Sequence, residues 1–191
     1  MSFPHRIAGN LALDFANTVS RRGTAREVDH LATAADILAW SRQTGLIDDD
    51  FALRSTDRKA LVKDVLALRS AINDAGSAIA HGGEPSAAAL DTIRKYAAEA
   101  LRTAALGGSP VSLHFRGANR IIGAIAWAAL DLLRDDELSR LKQCPPDDCR
   151  WLFIDRTKNG SRRWCDMSSC GNRAKKQSHL TMPDLGVSPR R

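Results

Sequence analysis

The sequence predicts a mainly α-helical protein: a helical amino-terminal domain over residues 1–138, then a small four-cysteine module over residues 139–182, ordered knuckle, β-hairpin, knuckle and helix. Residues 183–191 read as a mobile tail. Three observations predict this. Apolar residues recur at helical spacing, between recognisable caps, through about the first 135 residues. All four cysteines lie between 144 and 170, in two close pairs. The entire cationic surplus sits at the cysteine-bearing end. A chain of 191 residues holds one ordinary core and one small appendage, and 43% hydrophobic with 26% charged residues is the balance of a folded protein.

The elements follow in order. Asn10 is a good cap for a short helix over Leu11–Thr18. Thr33 and Asp36 form a capping-box pattern opening a helix with Ile37, Leu38 and Trp40, which Gly45 ends. A third helix begins near Ser55-Thr56-Asp57 and runs to His81, with Leu61, Val65, Leu66, Leu68 and Ile72 as its apolar stripe and Gly82-Gly83 as its stop. Pro85-Ser86 starts a fourth, with Leu90, Ile93, Tyr96, Ala97 and Leu101 on one face, broken by Gly107-Gly108-Ser109-Pro110. Val111 to Phe115 alternates at period two, as a short strand does. Ala118 to Leu133 is apolar on more than one face and reads as the central helix.

The cysteines are spaced Cys144-x4-Cys149-x15-Cys165-x4-Cys170. Two close pairs across such a linker suit tetrahedral thiolate coordination, each pair taking one edge of the tetrahedron. The turn residues Pro145-Pro146-Asp147-Asp148 and the small residues after Cys165 allow each pair to converge. Disulfides are the alternative, but the start, Met1-Ser2-Phe3-Pro4-His5-Arg6, lacks a secretory layout, and no run reaches bilayer-spanning length. A cytoplasmic protein, off the membrane, keeps its thiols reduced. Four cysteines close a coordination shell, so the expected cofactor is one structural Zn2+, and its binding supplies stability that so small a module lacks. Asn159-Gly160 between Trp151–Ile154 and Ser161–Trp164 is a hairpin signal, and Gly171 to His179 suits a helix.

From Arg150 onward, ten Lys and Arg face three Asp, whereas residues 1–149 hold 18 basic and 19 acidic residues. Such asymmetry speaks of a polyanionic partner. Arg156, Lys158, Arg162 and Arg163 surround the expected hairpin turn, and Arg173, Lys175 and Lys176 lie on the expected helix. If the two flank one groove, these side chains reach phosphates. A solvated basic surface is the plain alternative, as is a purely structural role for Asn172 and Arg173 beside the second knuckle. Trp151 and Trp164 read as a miniature core around the metal.

The strings Phe153-Ile154-Asp155-Arg156, Asn159-Gly160, Arg162-Arg163-Trp164-Cys165 and Cys170-Gly171-Asn172-Arg173-Ala174-Lys175 resemble the CGNR zinc-finger family nearly throughout. Gly9-Asn10-Leu11-Ala12-Leu13-Asp14-Phe15-Ala16-Asn17-Thr18-Val19 resembles the opening motif of the ABATE domain that usually precedes that finger. The resemblance implies a mostly bacterial, stress-related, DNA-binding transcription regulator. Gln177-Ser178-His179-Leu180 departs from it, replacing a more basic continuation.

Asp14 and Asn17, three apart on a short helix, are candidates for the polar end of a small-molecule effector pocket, or else hydrogen-bond neighbouring elements. The helical domain would sense such a ligand or make a homodimer. A protein-interaction adaptor and an RNA-binding protein are the alternatives to DNA binding. An enzyme is not expected: no phosphate-binding glycine loop, no Ser/His/Asp or Cys/His constellation and no open metal site is apparent, and His5, His30, His81 and His114 look isolated. His179 reads as a surface residue rather than a metal ligand.

Overall fold

Each apolar stripe finds a partner helix. The computed structural model describes the backbone of residues 3–180 and the side chains of residues 3–176; the expected tail and the His179 side chain lie outside these. Asn10 caps α1 (Leu11–Ala16) by accepting from the Ala12 N–H at 2.8 Å. A small arm follows, in which β1 (Val19–Ser20) pairs antiparallel with β2 (Val28–Asp29). Arg69, only 4% exposed, fastens that arm, because its guanidinium holds both Asp29 carboxylate oxygens at 2.7 and 2.6 Å. The complete capping box at Thr33 and Asp36 opens α2 (Ala34–Gln43).

The long α3 (Arg58–Ala80) and α4 (Ala87–Thr103) pack on each other and on α5 (Ile122–Arg134). Gly123 permits the close approach of α5 to α4: a Cβ there would stand 2.5 Å from that of Ala100. Between α4 and α5, β3 (Ala105–Gly107) and β4 (Ser112–His114) form a hairpin whose second strand matches the alternation in the sequence. The main core joins Phe15, Leu31, Ile37, Trp40, Leu61, Leu68, Ile93 and Ile125, each a fully buried side chain contributing roughly 1.5–3 kcal/mol. Leu66, Leu90 and Leu101, expected on buried faces, are exposed instead. Small alanines on α4 (Ala89, Ala97, Ala100) fill the interface, and the helices sit too close for leucine there.

A second core lies against another face of α1. It is built from Ala8, Leu13, Leu132, β5 (Leu141–Gln143), β6 (Leu152–Ile154) and the four cysteines. The strand pairing differs from the expected hairpin. β6 pairs antiparallel with β5, which precedes the first cysteine, and not with residues 161–164. The cause is Asp155, which is fully buried. Its carboxylate accepts from the Thr157 N–H at 3.0 Å, the Thr157 hydroxyl at 2.6 Å and the Arg162 N–H at 2.9 Å, so the chain curls around it instead of returning as a strand. A π-helical turn (Met167–Gly171) then leads into α6 (Asn172–Leu180).

Candidate metal centre and its surroundings

The β5–β6 ladder delivers the first two cysteines. The Cys144 N–H donates to the Trp151 carbonyl at 2.8 Å, and the Cys149 N–H closes the knuckle onto Pro146 at 2.9 Å. Arg150 leaves that knuckle with φ of 57°, a left-handed conformation that turns the chain back into β6. Of the second pair, Cys165 lies in a bend just before the π-helical turn and Cys170 within the turn, and both are buried.

All four sulfurs lie within 4.8 Å of one another. Cys149 and Cys165 stand 3.5 Å apart and Cys165 and Cys170 3.7 Å apart. Four sulfurs at about 2.3 Å from one tetrahedral zinc are spaced by about 3.8 Å, so the cage has the right size. The thiols are free, and these separations are far beyond a disulfide bond of about 2.05 Å. Packed without a cation, they frustrate one another's ionisation. Hydrogen bonds from Cys149 and Cys165 pull the Cys144 thiol down to about 4, while Cys149 and Cys165 are pushed up by that same bonding and by burial. A bound dication resolves the conflict by holding every sulfur as a thiolate. The donor set fits one structural zinc ion.

Around the cage, the Cys165 N–H approaches Cys144 Sγ at 3.4 Å. Arg173 donates to Cys170 Sγ at 3.2 Å and pairs with Asp148 at 3.0 Å, while Asn172 donates to the Ser168 carbonyl at 3.0 Å. The basic side chains divide by environment. Arg162 faces inward, donating to the carbonyls of Trp164 at 3.1 Å, Ile7 at 3.0 Å and Cys165, with its guanidinium 4.4 Å over the Phe153 ring. Arg156 pairs with Glu137 at 2.8 Å. Lys158, Arg163, Lys175 and Lys176 are exposed, with Arg163 lying 5.7 Å over Trp164. Arg162 and Arg163 line one shallow groove, and Arg173, Lys175 and Lys176 line a second beside Ser168 and Ser169.

Asp14 and Asn17 both bond to other parts of the protein. Asp14 accepts from the Ala8 N–H at 3.0 Å and lies 3.7 Å from Arg6. Burial raises its carboxyl pKa, against the lowering effect of those partners. Asn17 exchanges two hydrogen bonds with the backbone of Leu152, at 2.8 and 2.9 Å. The Trp151 indole N–H reaches the Val19 carbonyl at 3.1 Å, and the Ile154 N–H reaches the Ala8 carbonyl at 2.9 Å. The opening motif of the chain is therefore the socket in which the cysteine module sits.

A cleft of about 370 Å3 opens between the β1–β2 arm and the metal cage, lined among others by Ser20, Arg21, Val28, His30, Trp151 and Cys149. Sequence reasoning missed it. His30, isolated along the chain, lies 2.9 Å from the Ser20 hydroxyl, and only the arm's pairing brings the two together. Among the described residues no helix is long and apolar enough to cross a membrane.

Comparison with family models matches residues 9–136 to ABATE, described as "Putative stress-induced transcription regulator", and residues 140–181 to the CGNR zinc finger. Comparison with curated proteins finds no match. Neither matching family is enzymatic in type. With its socket motif, its helical core and a four-sulfur cage sized for zinc, the chain belongs to the ABATE family and carries a carboxy-terminal CGNR zinc finger.

Proposed function

We propose that this protein is a DNA-binding transcription regulator, with its zinc finger set against the phosphate backbone and its helical domain serving in sensing or dimerisation during a stress response. The observation that carries the reading is the placement of charge. The finger end holds ten basic residues against three acidic ones, and Lys158, Arg163, Lys175 and Lys176 are exposed on it. Arg156 and Arg173 each share their charge with a carboxylate, so they rank behind Lys158 and Arg163 as phosphate ligands. Arg162 ranks last in the contact set because its donors are engaged within the fold. A reducing cytoplasm is the compartment in which four free thiols remain available to zinc.

The test is the salt dependence of binding by zinc-loaded protein to duplex DNA. Each phosphate neutralised adds about −0.9 to the slope of log affinity against log salt, so four exposed cations give roughly −3 to −4. No binding at low salt removes the reading. Single-stranded or folded RNA that outcompetes duplex DNA turns it to RNA, and a partner that survives nuclease turns it to a protein adaptor.

A further inference from the structure

We propose that the cleft beside the metal cage is a modification site, through which a small apolar α,β-unsaturated carbonyl compound reaches the Cys149 sulfur ahead of the other three. The residues that line the cleft set its chemistry. Val28 is 45% exposed there, without apolar cover, and Trp151, pinned through its indole N–H to the Val19 carbonyl, supplies a fixed aromatic wall. Cys149, Cys165 and Cys170 also line it, with Arg21, His30 and Arg173 among its polar residues. A volume of about 370 Å3 admits a small molecule.

The cage is electron-rich, since four thiolates around one dication carry a net negative charge. Asp148 at the same rim is paired with Arg173. Arg21 in the lining offsets part of the cage's negative charge, so neither sign of ion is strongly favoured and a soft neutral electrophile is the class that matches the thiolates. Among the four cysteines, Cys149 is the most exposed residue, at 7% against 1% for Cys144, 2% for Cys165 and 4% for Cys170. Arg173 already donates to Cys170, which withdraws nucleophilicity from that sulfur. Cys144 lies outside this cleft and lines a polar one with His81, Gln143 and Arg150, which suits an apolar reagent poorly.

The step balances without an oxidant. The Cys149 thiolate forms a C–S bond to the β-carbon, the C=C π pair moves onto the carbonyl oxygen as an enolate, and water protonates it and leaves hydroxide. Cys149 becomes a neutral thioether, a far weaker zinc ligand, and the cage is left with three thiolates. The modification would thus unlock the knuckle that leads into β6 and into the socket on the helical domain.

The experiment treats full-length, zinc-loaded protein with N-ethylmaleimide under limiting conditions, maps adducts by peptide mass spectrometry, and follows metal with a chromophoric chelator. The expected result is a first adduct on Cys149 that precedes zinc release. Val28→Trp, which fills the cleft away from the ligands, should slow that adduct by about tenfold, a barrier change of about 1.4 kcal/mol. Zinc content and far-ultraviolet dichroism establish that the variant is folded; if it is not, Val28→Phe takes its place. Adducts on Cys144 first, simultaneous labelling of all four at the rate of zinc loss, or a rate indifferent to filling the cleft overturns the proposal.

Discussion

Asn17 and Leu152, 135 residues apart, exchange a pair of hydrogen bonds: the Asn17 amide donates to the Leu152 carbonyl at 2.8 Å and accepts from the Leu152 N–H at 2.9 Å. One side chain thus serves β6 as a neighbouring strand would, on the edge that β5 does not cover. Asn17→Ala strands two buried backbone groups and should cost about 2–4 kcal/mol in denaturant unfolding of the zinc-loaded protein. Asn17→Asp keeps the acceptor, loses the donor and turns a carboxylate toward a carbonyl, so it should be no better than alanine. A wild-type midpoint in either variant removes the socket.

Gly76 marks where β6 meets α3. A Cβ there would lie 2.6 Å from Leu152 Cδ1. Gly76→Ala gains up to about 1 kcal/mol of helix propensity but overpacks a closed contact, at about 1–3 kcal/mol. Net destabilisation is expected. Leu152→Val in the Gly76→Ala background should restore part of it, so that a double-mutant cycle shows coupling between the two sites.

Asp155 determines a pH dependence. Burial by itself would raise its pKa, but hydrogen bonds from Lys142, from the Thr157 hydroxyl and N–H and from the Arg162 N–H overcome that and hold it well below the usual carboxylate range. A depressed folded pKa contributes stability that is complete above the unfolded value of about 3.9 and is lost as pH falls through the folded one. Asp155→Asn should therefore be less stable than wild type at neutral pH, and the gap should narrow below about pH 4. A gap independent of pH would show that the carboxylate's charge contributes nothing.

Metal removal should dissolve the second core selectively. The cysteines are part of the same buried cluster as Leu141, Leu152, Phe153 and Ile154. Structural zinc at such sites contributes about 10–16 kcal/mol. Elemental analysis should return one zinc per chain, and chelation should red-shift the emission of Trp151 and Trp164 while the helical signal of residues 11–134 largely persists. Metal-free protein with unchanged emission would refute the assignment.

Arg162 and Lys158 separate structure from binding. Arg162→Ala removes donors from the carbonyls of Ile7 and Trp164 and uncovers Phe153, so about 2 kcal/mol of stability should go. Lys158→Ala, at an exposed position, should leave stability within about 0.5 kcal/mol and reduce the salt slope of DNA binding by about 0.9. Equal stability losses in both variants would contradict this division.

Local chemistry was legible in the sequence. The cap at Asn10, the Thr33–Asp36 box, the stop at Gly82 and the paired cysteines each act within a few residues, so the helices and the cage could be read along the chain. The family resemblance added the finger and its partner domain. Side-chain direction and long-range pairing were not legible. Whether Arg162 faces solvent or the carbonyl of Ile7 depends on two segments 155 residues apart meeting, and Asn159-Gly160 marked a turn without revealing that Asp155 captures the chain and leaves β5 to pair with β6. Leu66 and Leu101 fit an apolar stripe by spacing, yet the close approach of alanine-lined helices left them outside. Only the tertiary structure could show that Asn17 completes the edge of β6 and that His30, Val28 and Trp151 enclose a cleft beside the metal. Such contacts join residues over a hundred positions apart, and sequence periodicity carries no information at that range.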